Sequence, residues 1–246
     1  MARKIKLTLE YDGTAYAGWQ VQAEAPTVQG VIEEALAAIL KEPTRLHGAG
    51  RTDAGVHAAG QVAHFETTSE MAPEAFERAL NSLLPDDIRV TAAEEVPAEF
   101  HARYSARSRT YRYAITFTDS VFTRRHAYYL PGPLEAEAMR AAAAPLVGEH
   151  DFAAFGNASD DVDTTVREIT AFRLEETLDG LEFYITANAF LYKMVRNIVA
   201  ALLRVGSGEV APEEVERLLA AKDRAALGPP VPARGLTLLR IEYGGD

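Results

Sequence analysis

Two hydrophobic periods alternate along the first hundred residues, and their order leaves few ways to fold. Residues 4–11 (KIKLTLEY) alternate apolar and polar side chains, the period of a half-buried strand. Thr27 suits a helix N-cap. Val28, Val31, Ile32, Ala35, Leu36, Ile39 and Leu40 then recur at helical spacing, with Glu33 and Glu34 on the other face. Residues 44–49 and 60–66 read as strands flanking a glycine-rich segment. Pro73 opens a helix with Phe76, Leu80, Leu83 and Leu84 on one face, and 87–96 reads as a further strand. Strand–helix–strand–strand–helix–strand is the ferredoxin-like order.

The second half repeats this logic. SRTYRYAITF (108–117) alternates strongly and reads as a strand, followed by a helix near 134–147. TVREITAFRLEE and LEFYITANAF form a hairpin around Asp179-Gly180. Val195, Ile198, Val199, Leu202 and Leu203 mark a helix ending at Gly206, and Pro212-Glu213-Glu214 starts another with an acidic first turn. GLTLLRIEY closes the chain as a strand. The expected class is α+β: two ferredoxin-like, RRM-like halves, 1–106 and 107–246, with mainly antiparallel sheets and no Ser/Gly linker between them.

A length of 246 residues suits one large domain or two small ones of roughly 100–150 residues. The absence of cysteine excludes disulfides, iron–sulfur clusters, thiolate zinc sites and a cysteine nucleophile. MARKIKLTLEYDG lacks the apolar core of a signal peptide, because Thr8 and Glu10 interrupt it. No apolar run approaches the roughly 18 residues that cross a bilayer. The expected location is the cytoplasm, with no membrane partner.

The net charge of −11 argues against a nucleic-acid partner, but its distribution does not. Between His101 and His126 stand Arg103, Arg107, Arg109, Arg112, Arg124 and Arg125 against the single acid Asp119, so this stretch carries +5 and the remainder −16. Nucleic-acid binding needs a basic surface, not a basic whole. A solvated charged loop explains the same composition.

GAGRTDAGVHAAGQVAHF (48–65) surrounds one carboxylate, Asp53, with glycines. Gly48, Gly50 and Gly55 can supply backbone conformations closed to other residues, or close approach to a ligand. Asp53 is then held exposed on a turn; an Asx-turn is the structural alternative. Asp53, His57 and His64 offer a metal set, though the Asp-x-x-x-His pattern is weak and such histidines are more often structural. On 108–117, Arg109, Tyr111, Tyr113 and Ile115 share one strand face, which reads either as core or as a stacking platform for bases. NAFLYKMVRNIVAALL puts Lys193 and Arg196 in the first turns of a helix, where the dipole disfavours exposed cations by about 0.3–1 kcal/mol each. Arg196 lies off the apolar stripe. A cation there is explained by an anion at the same place, a phosphate or a partner carboxylate such as Asp53.

Taken in order, these stretches resemble the tRNA pseudouridine synthase A family. YDGTAYAGWQ (11–20), PTVQGVIEEAL (26–36), the very specific GRTDAGVHA (50–58), FHARYSARSRTYRY (100–113), GEHDFAAF (148–155), TVREI (165–169), NAFLYKMVRNIV (188–199) and ARGLTLLRIEY (233–243) carry the likeness. Tyr192 and Lys193 depart from it, since two histidines are common there. The resemblance implies two ferredoxin-like halves joined over a central cleft, a homodimer, and cofactor-free conversion of uridine to pseudouridine at positions 38, 39 and 40 of tRNA. It places Asp53 as the catalytic aspartate, Arg196 as its arginine partner and Tyr111 as the ring that stacks on the target base. Arg51, His57, Arg103 and Lys193 are expected to bind substrate, and no metal is expected. The carboxylate can act as nucleophile at C1′ or C6, or as base at C2′. Two other classes explain part of the sequence: a non-catalytic RNA-binding protein, and a metal-dependent hydrolase built on Asp53, His57 and His64.

Overall fold

The computed structural model describes residues 2–157 and 164–244. In chain order the elements are β1 (Arg3–Tyr11), α1 (Val28–Leu40), β2 (His47–Gly48), β3 (His57–Thr67), α2 (Pro73–Asn81), β4 (Ile88–Val96), β5 (Ala106–Thr116), β6 (Tyr128–Tyr129), α3 (Ala136–Ala143), β7 (Gly148–Asp151), β8 (Val166–Thr177), β9 (Gly180–Ala187), α4 (Met194–Gly206), α5 (Glu213–Ala221) and β10 (Leu236–Tyr243). The fold is mixed α/β with mainly antiparallel strand pairing, as the two alternating periods predict. No helix among the described residues is long and apolar enough to cross a membrane. The chain divides into two compact units, Met1–Arg107 with Thr237–Asp246, and Ser108–Leu236.

In the first unit β1 lies between β3 and β4 and is antiparallel to both, with Ile5 opposite Phe65 on one side and Glu95 on the other. β10 pairs parallel to the start of β3, Thr237 beside His57. Ile5, Leu7, Leu9 and Phe65 from the sheet are fully buried with Ile32 and Leu36 of α1 and Phe76 and Leu80 of α2. Thr27 caps α1 as its spacing predicts, accepting the Gly30 N–H. Glu33, partly buried off the apolar stripe, accepts hydrogen bonds from Gln29 Nε2 and the Leu46 N–H, both at 2.9 Å, and so ties α1 to the segment that leads into β2. α2 ends before Leu83, which is exposed, so the apolar face expected there stops at Leu80. The expected strand at 44–49 contracts to two residues, while 60–66 extends back to His57. A bulge opposite Leu9–Tyr11 accommodates Ala58–Gln61, just after that segment.

The second unit pairs β5, β9, β8 and β7 in that order, all antiparallel, with β6 parallel to β5. β8 and β9 form the expected hairpin, turning at Leu178-Asp179. α4 begins and ends close to its predicted limits and is buried along almost its whole length. The helix expected over 134–147 is shorter, because Pro145 continues it only as a 3-10 turn, Ala144–Leu146.

Three histidines pack together in the first unit. The His64 ring stacks on His47 at 5.1 Å and meets His101 edge-on at 4.7 Å, while the Ala102 N–H donates to its Nδ1 at 3.2 Å. Burial first, then the neighbouring His101, His47 and Lys4, push its pKa down from 6.5 to about 4. The folded state therefore keeps His64 neutral over a range where the unfolded chain protonates it. Its contribution to stability is full above the ordinary value of 6.5 and is lost as pH falls toward about 4. Chemical denaturation should show the unfolding free energy falling over that window, by at most about 1.4 kcal/mol per pH unit for one proton. His64→Gln should flatten the slope.

Candidate active site

Asp53 sits at the start of a tight turn in the first unit. The Val56 N–H closes it on the Asp53 carbonyl at 3.1 Å, and Gly55 takes φ 77°, a value a side chain adopts only with strain. Asp53 is half-buried rather than exposed as its glycine neighbours suggest. The reason lies forty residues upstream, where 11–19 wraps the turn. Gly18 has φ 100°, and a Cβ there would stand 2.5 Å from the Thr52 carbonyl oxygen. A Cβ on Gly13 would stand 2.0 Å from the Val56 carbonyl oxygen. The Trp19 N–H donates to the Thr52 carbonyl at 3.0 Å, and the Gly55 N–H to the Tyr16 carbonyl at 3.4 Å.

The glycines of the segment divide by role. Gly48 admits the Trp19 indole, whose Nε1 would be 2.5 Å from a Cβ. Gly55 supplies the left-handed turn. Gly50 does neither: its φ is not positive and a Cβ would meet nothing within 4 Å.

His57 is 3% exposed, and its Nδ1 lies 3.1 Å from both the Gly13 N–H, which donates to it, and an Asp12 carboxylate oxygen. Its ring thus fastens the end of the turn to the Asp12–Gly13 bend. His64 stands seven residues along the same strand, about 23 Å away at ~3.3 Å per residue. Asp53, His57 and His64 therefore cannot gather on one metal ion, and the hydrolase reading fails on distance. Arg51 is exposed. Arg103 is half-buried, its guanidinium 5.5 Å from the exposed Tyr104 ring.

The second unit holds the other expected residues. Tyr111 is half-buried on β5, its ring meeting Phe190 edge-on at 5.1 Å. Two residues on, Tyr113 is fully buried and donates its hydroxyl to the Pro232 carbonyl at 2.8 Å. The tyrosine stripe is thus core at one end and open at the other. Burial raises the Tyr113 phenol far above its ordinary range, against the opposing charge of Arg196. Arg196 lies in the first turn of α4, half-buried, its Nε donating to the Val231 carbonyl at 2.8 Å. Lys193 is the N-cap residue, in the left-handed region at φ 61°, with its Nζ 4.8 Å from the Tyr192 ring.

The arginine-rich stretch is less uniform than its composition. Arg112 is paired with Glu182 at 3.2 Å, and Arg109 donates to the Asn188 carbonyl. Arg124 is exposed beside Asp119 at 4.0 Å, a pair that screening leaves weak. Tyr11, Thr52, Gln61 and Asp12 escape sequence reasoning altogether. Only Asp12-Gly13 and Gly18 hint at a bend, and nothing in the sequence says against what.

A family profile described as tRNA pseudouridine synthase matches residues 8–105 and 142–244. The tRNA pseudouridine synthase A of Bacillus pumilus is 48% identical over 244 residues, covering 98% of this chain and 99% of that one. Its counterpart from Citrifermentans bemidjiense is 50% identical, covering 98% of each. That of Caldicellulosiruptor bescii is 43% identical over 98% of this chain and 100% of its own.

The wrapping of the turn has a direct consequence. Gly18→Ala adds a Cβ against backbone at a positive φ, so relief must come from moving the Asp53 turn. It should lower stability by about 1–3 kcal/mol. Turnover should fall by more than the loss of folded protein explains, measured by circular dichroism melts alongside activity.

Proposed function

The chain belongs to the tRNA pseudouridine synthase family, and we propose that it isomerises uridine to pseudouridine in the anticodon stem-loop of tRNA, at positions 38, 39 and 40. The single observation that carries the reading is the turn holding Asp53: one half-buried aspartate on a turn whose backbone is held from two directions. An RNA-binding module without chemistry has no use for it.

In the proposed reaction the bond from ribose C1′ to uracil N1 breaks. The base turns, C1′ joins C5, the C5 proton leaves and N1 takes one up, so atoms balance with no cofactor. Asp53 supplies the reacting carboxylate. Tyr111, half-buried on β5, stacks on the target base, which must leave the helical stack to be reached. Arg196 is the counter-charge to Asp53 during turnover, a role suited to a half-buried cation in the first turn of a helix, whose N-terminus also favours an anion. Arg51, Arg103 and Lys193 bind the RNA, while His57 contributes by holding the turn. In the first unit the order β1, α1, β2, β3, α2, β4, with β1 between β3 and β4, supports reading that unit as a ferredoxin-like half. The protein works in the cytoplasm as a homodimer, two basic surfaces gripping one tRNA.

Release of tritium from tRNA carrying [5-3H]uridine reports the isomerisation directly. Asp53→Asn should keep tRNA binding and lose turnover by roughly a thousandfold or more. Substantial turnover in a preparation free of deamidation removes Asp53 from the chemistry, and failure of the wild type to release tritium overturns the function.

RNA binding should also obey counterion release. Affinity for tRNA should fall steeply with salt, and Arg124→Gln should weaken all substrates about equally and lower the slope of log affinity against log salt by about one. Asp53→Asn should leave that slope alone. Filter binding between low and physiological salt decides it, and an affinity indifferent to salt would make the arginine-rich segment a solvated loop.

A further inference from the structure

Beneath the Asp53 turn three polar side chains are buried together, Tyr11 at 5%, Thr52 at 7% and Gln61 at 0% exposed. Their neighbours along β1, Leu7 and Leu9, are fully buried and apolar. Packing alone is served by Phe and Val at these places, and burying polar groups costs stability unless they are bonded. Here they are. The Tyr11 hydroxyl is 2.8 Å from Thr52 Oγ1, and Gln61 Nε2 donates to the Gly50 carbonyl at 2.9 Å while reaching the Tyr11 hydroxyl at 3.5 Å.

The Gln61 amide has two hydrogens, one for Gly50 and one for the Tyr11 oxygen. The Tyr11 and Thr52 hydroxyls share one hydrogen bond, in which either can be the donor. Burial pushes the phenol's pKa up to about 12, so it stays neutral in this position. Thr52 is thereby held twice, on its side chain by Tyr11 and on its carbonyl by the Trp19 N–H. On the far side of the turn Val56 bonds back to Asp53 and His57 faces Gly13. The backbone that carries Asp53 is thus held on both sides.

We propose that Tyr11, Thr52 and Gln61 form a positioning device that aims the Asp53 carboxylate, a role no direct contact with RNA requires. It rests on the assignment of Asp53 as the reacting group. A carboxylate that must meet one atom of a nucleotide gains most from a fixed direction, and a displacement of about 1 Å can cost on the order of a hundredfold in rate.

The test is single-turnover tritium release at saturating enzyme, beside tRNA affinity and melting temperature, all on the full chain. Tyr11→Phe and Thr52→Val should each slow the chemical step roughly ten- to a hundredfold with affinity within about twofold. Thr52→Ser, which keeps the hydroxyl, should recover most of the rate. The double variant Tyr11→Phe/Thr52→Val should be no slower than the worse single one, since one connection is cut twice. Asn81→Ala removes the hydrogen bonds that tie α2 to Val90 on β4, and serves as a control that lowers stability without touching the turn. A wild-type rate in Tyr11→Phe, a Thr52→Ser as slow as Thr52→Val, or an Asn81→Ala slowed equally at equal loss of melting temperature overturns the proposal. Asp53→Asn run in parallel keeps the two claims apart. If it turns over, the assignment of Asp53 fails; if it is inactive while Tyr11→Phe is normal, only the positioning device fails.

Discussion

The site depends on one close contact between two stretches of backbone far apart in sequence. Gly13 and Gly18 bring 11–19 so near to 52–56 that carbonyl oxygens occupy the space where their side chains would be. Contact at that range lets main-chain N–H groups of Trp19 and Gly55 find carbonyl partners across the gap. It also shields one side of the turn, so Asp53 is half-buried without being enclosed. The same stretch passes directly from β1 into α1, through the hydrogen bonds of Val28 to Gly18 and Gln29 to Trp19. The turn is thus fastened to the first strand and first helix of the unit, and its geometry is inherited from the core.

That arrangement explains why polar groups are spent in the interior. An apolar core packs by shape and tolerates small shifts, whereas a hydrogen bond fixes both distance and direction. Glu33 shows the same preference on the other flank, bonding Gln29 and the Leu46 N–H where an apolar residue would have packed. The short β2 strand that follows delivers Gly48 to the Trp19 indole. The approaches from α1, β1 and β3 end in hydrogen bonds, and that from β2 in close packing of Gly48 on the Trp19 indole. Stability alone asks for less.

The elements were legible in the sequence because each is written in local periods. Thr27 and Pro73 bound their helices where the residue chemistry says they should, and the hairpin turn falls one residue before the expected Asp179-Gly180, at Leu178-Asp179. Leu83 misled because period alone assigns a face without knowing where a helix stops. As a candidate, Asp53 was legible from its glycines and from GRTDAGVHA. Its surroundings were not, since Tyr11, Gly13 and Gly18 act on it across some forty residues and no local rule links the two. The histidines show the converse limit. His57 and His64 look like one metal set on paper, but a strand carries them about 23 Å apart at ~3.3 Å per residue, and each finds a separate structural partner.

Rigidity of this kind fits the chemistry assigned to the family. An isomerisation that moves a base from N1 to C5 adds no reagent and removes none, so no external driving group shapes the transition state. What the protein can contribute is orientation, a charge in a fixed place and exclusion of water while the glycosidic bond is open. The base must turn while the sugar stays, which a mobile carboxylate would not enforce. A turn pinned at Thr52 through side chain and main chain, and at His57 through its ring, leaves Asp53 little freedom beyond its own side-chain torsions. In the proposed reading RNA binding is handled separately. Arg124 and its neighbours lie on exposed loops, where long flexible cations can follow a phosphate backbone at small cost, while the −16 outside 101–126 repels the polyanion from the rest of the surface. Affinity can then be tuned by salt and charge without disturbing the turn, and the turn can hold its carboxylate without having to bind RNA.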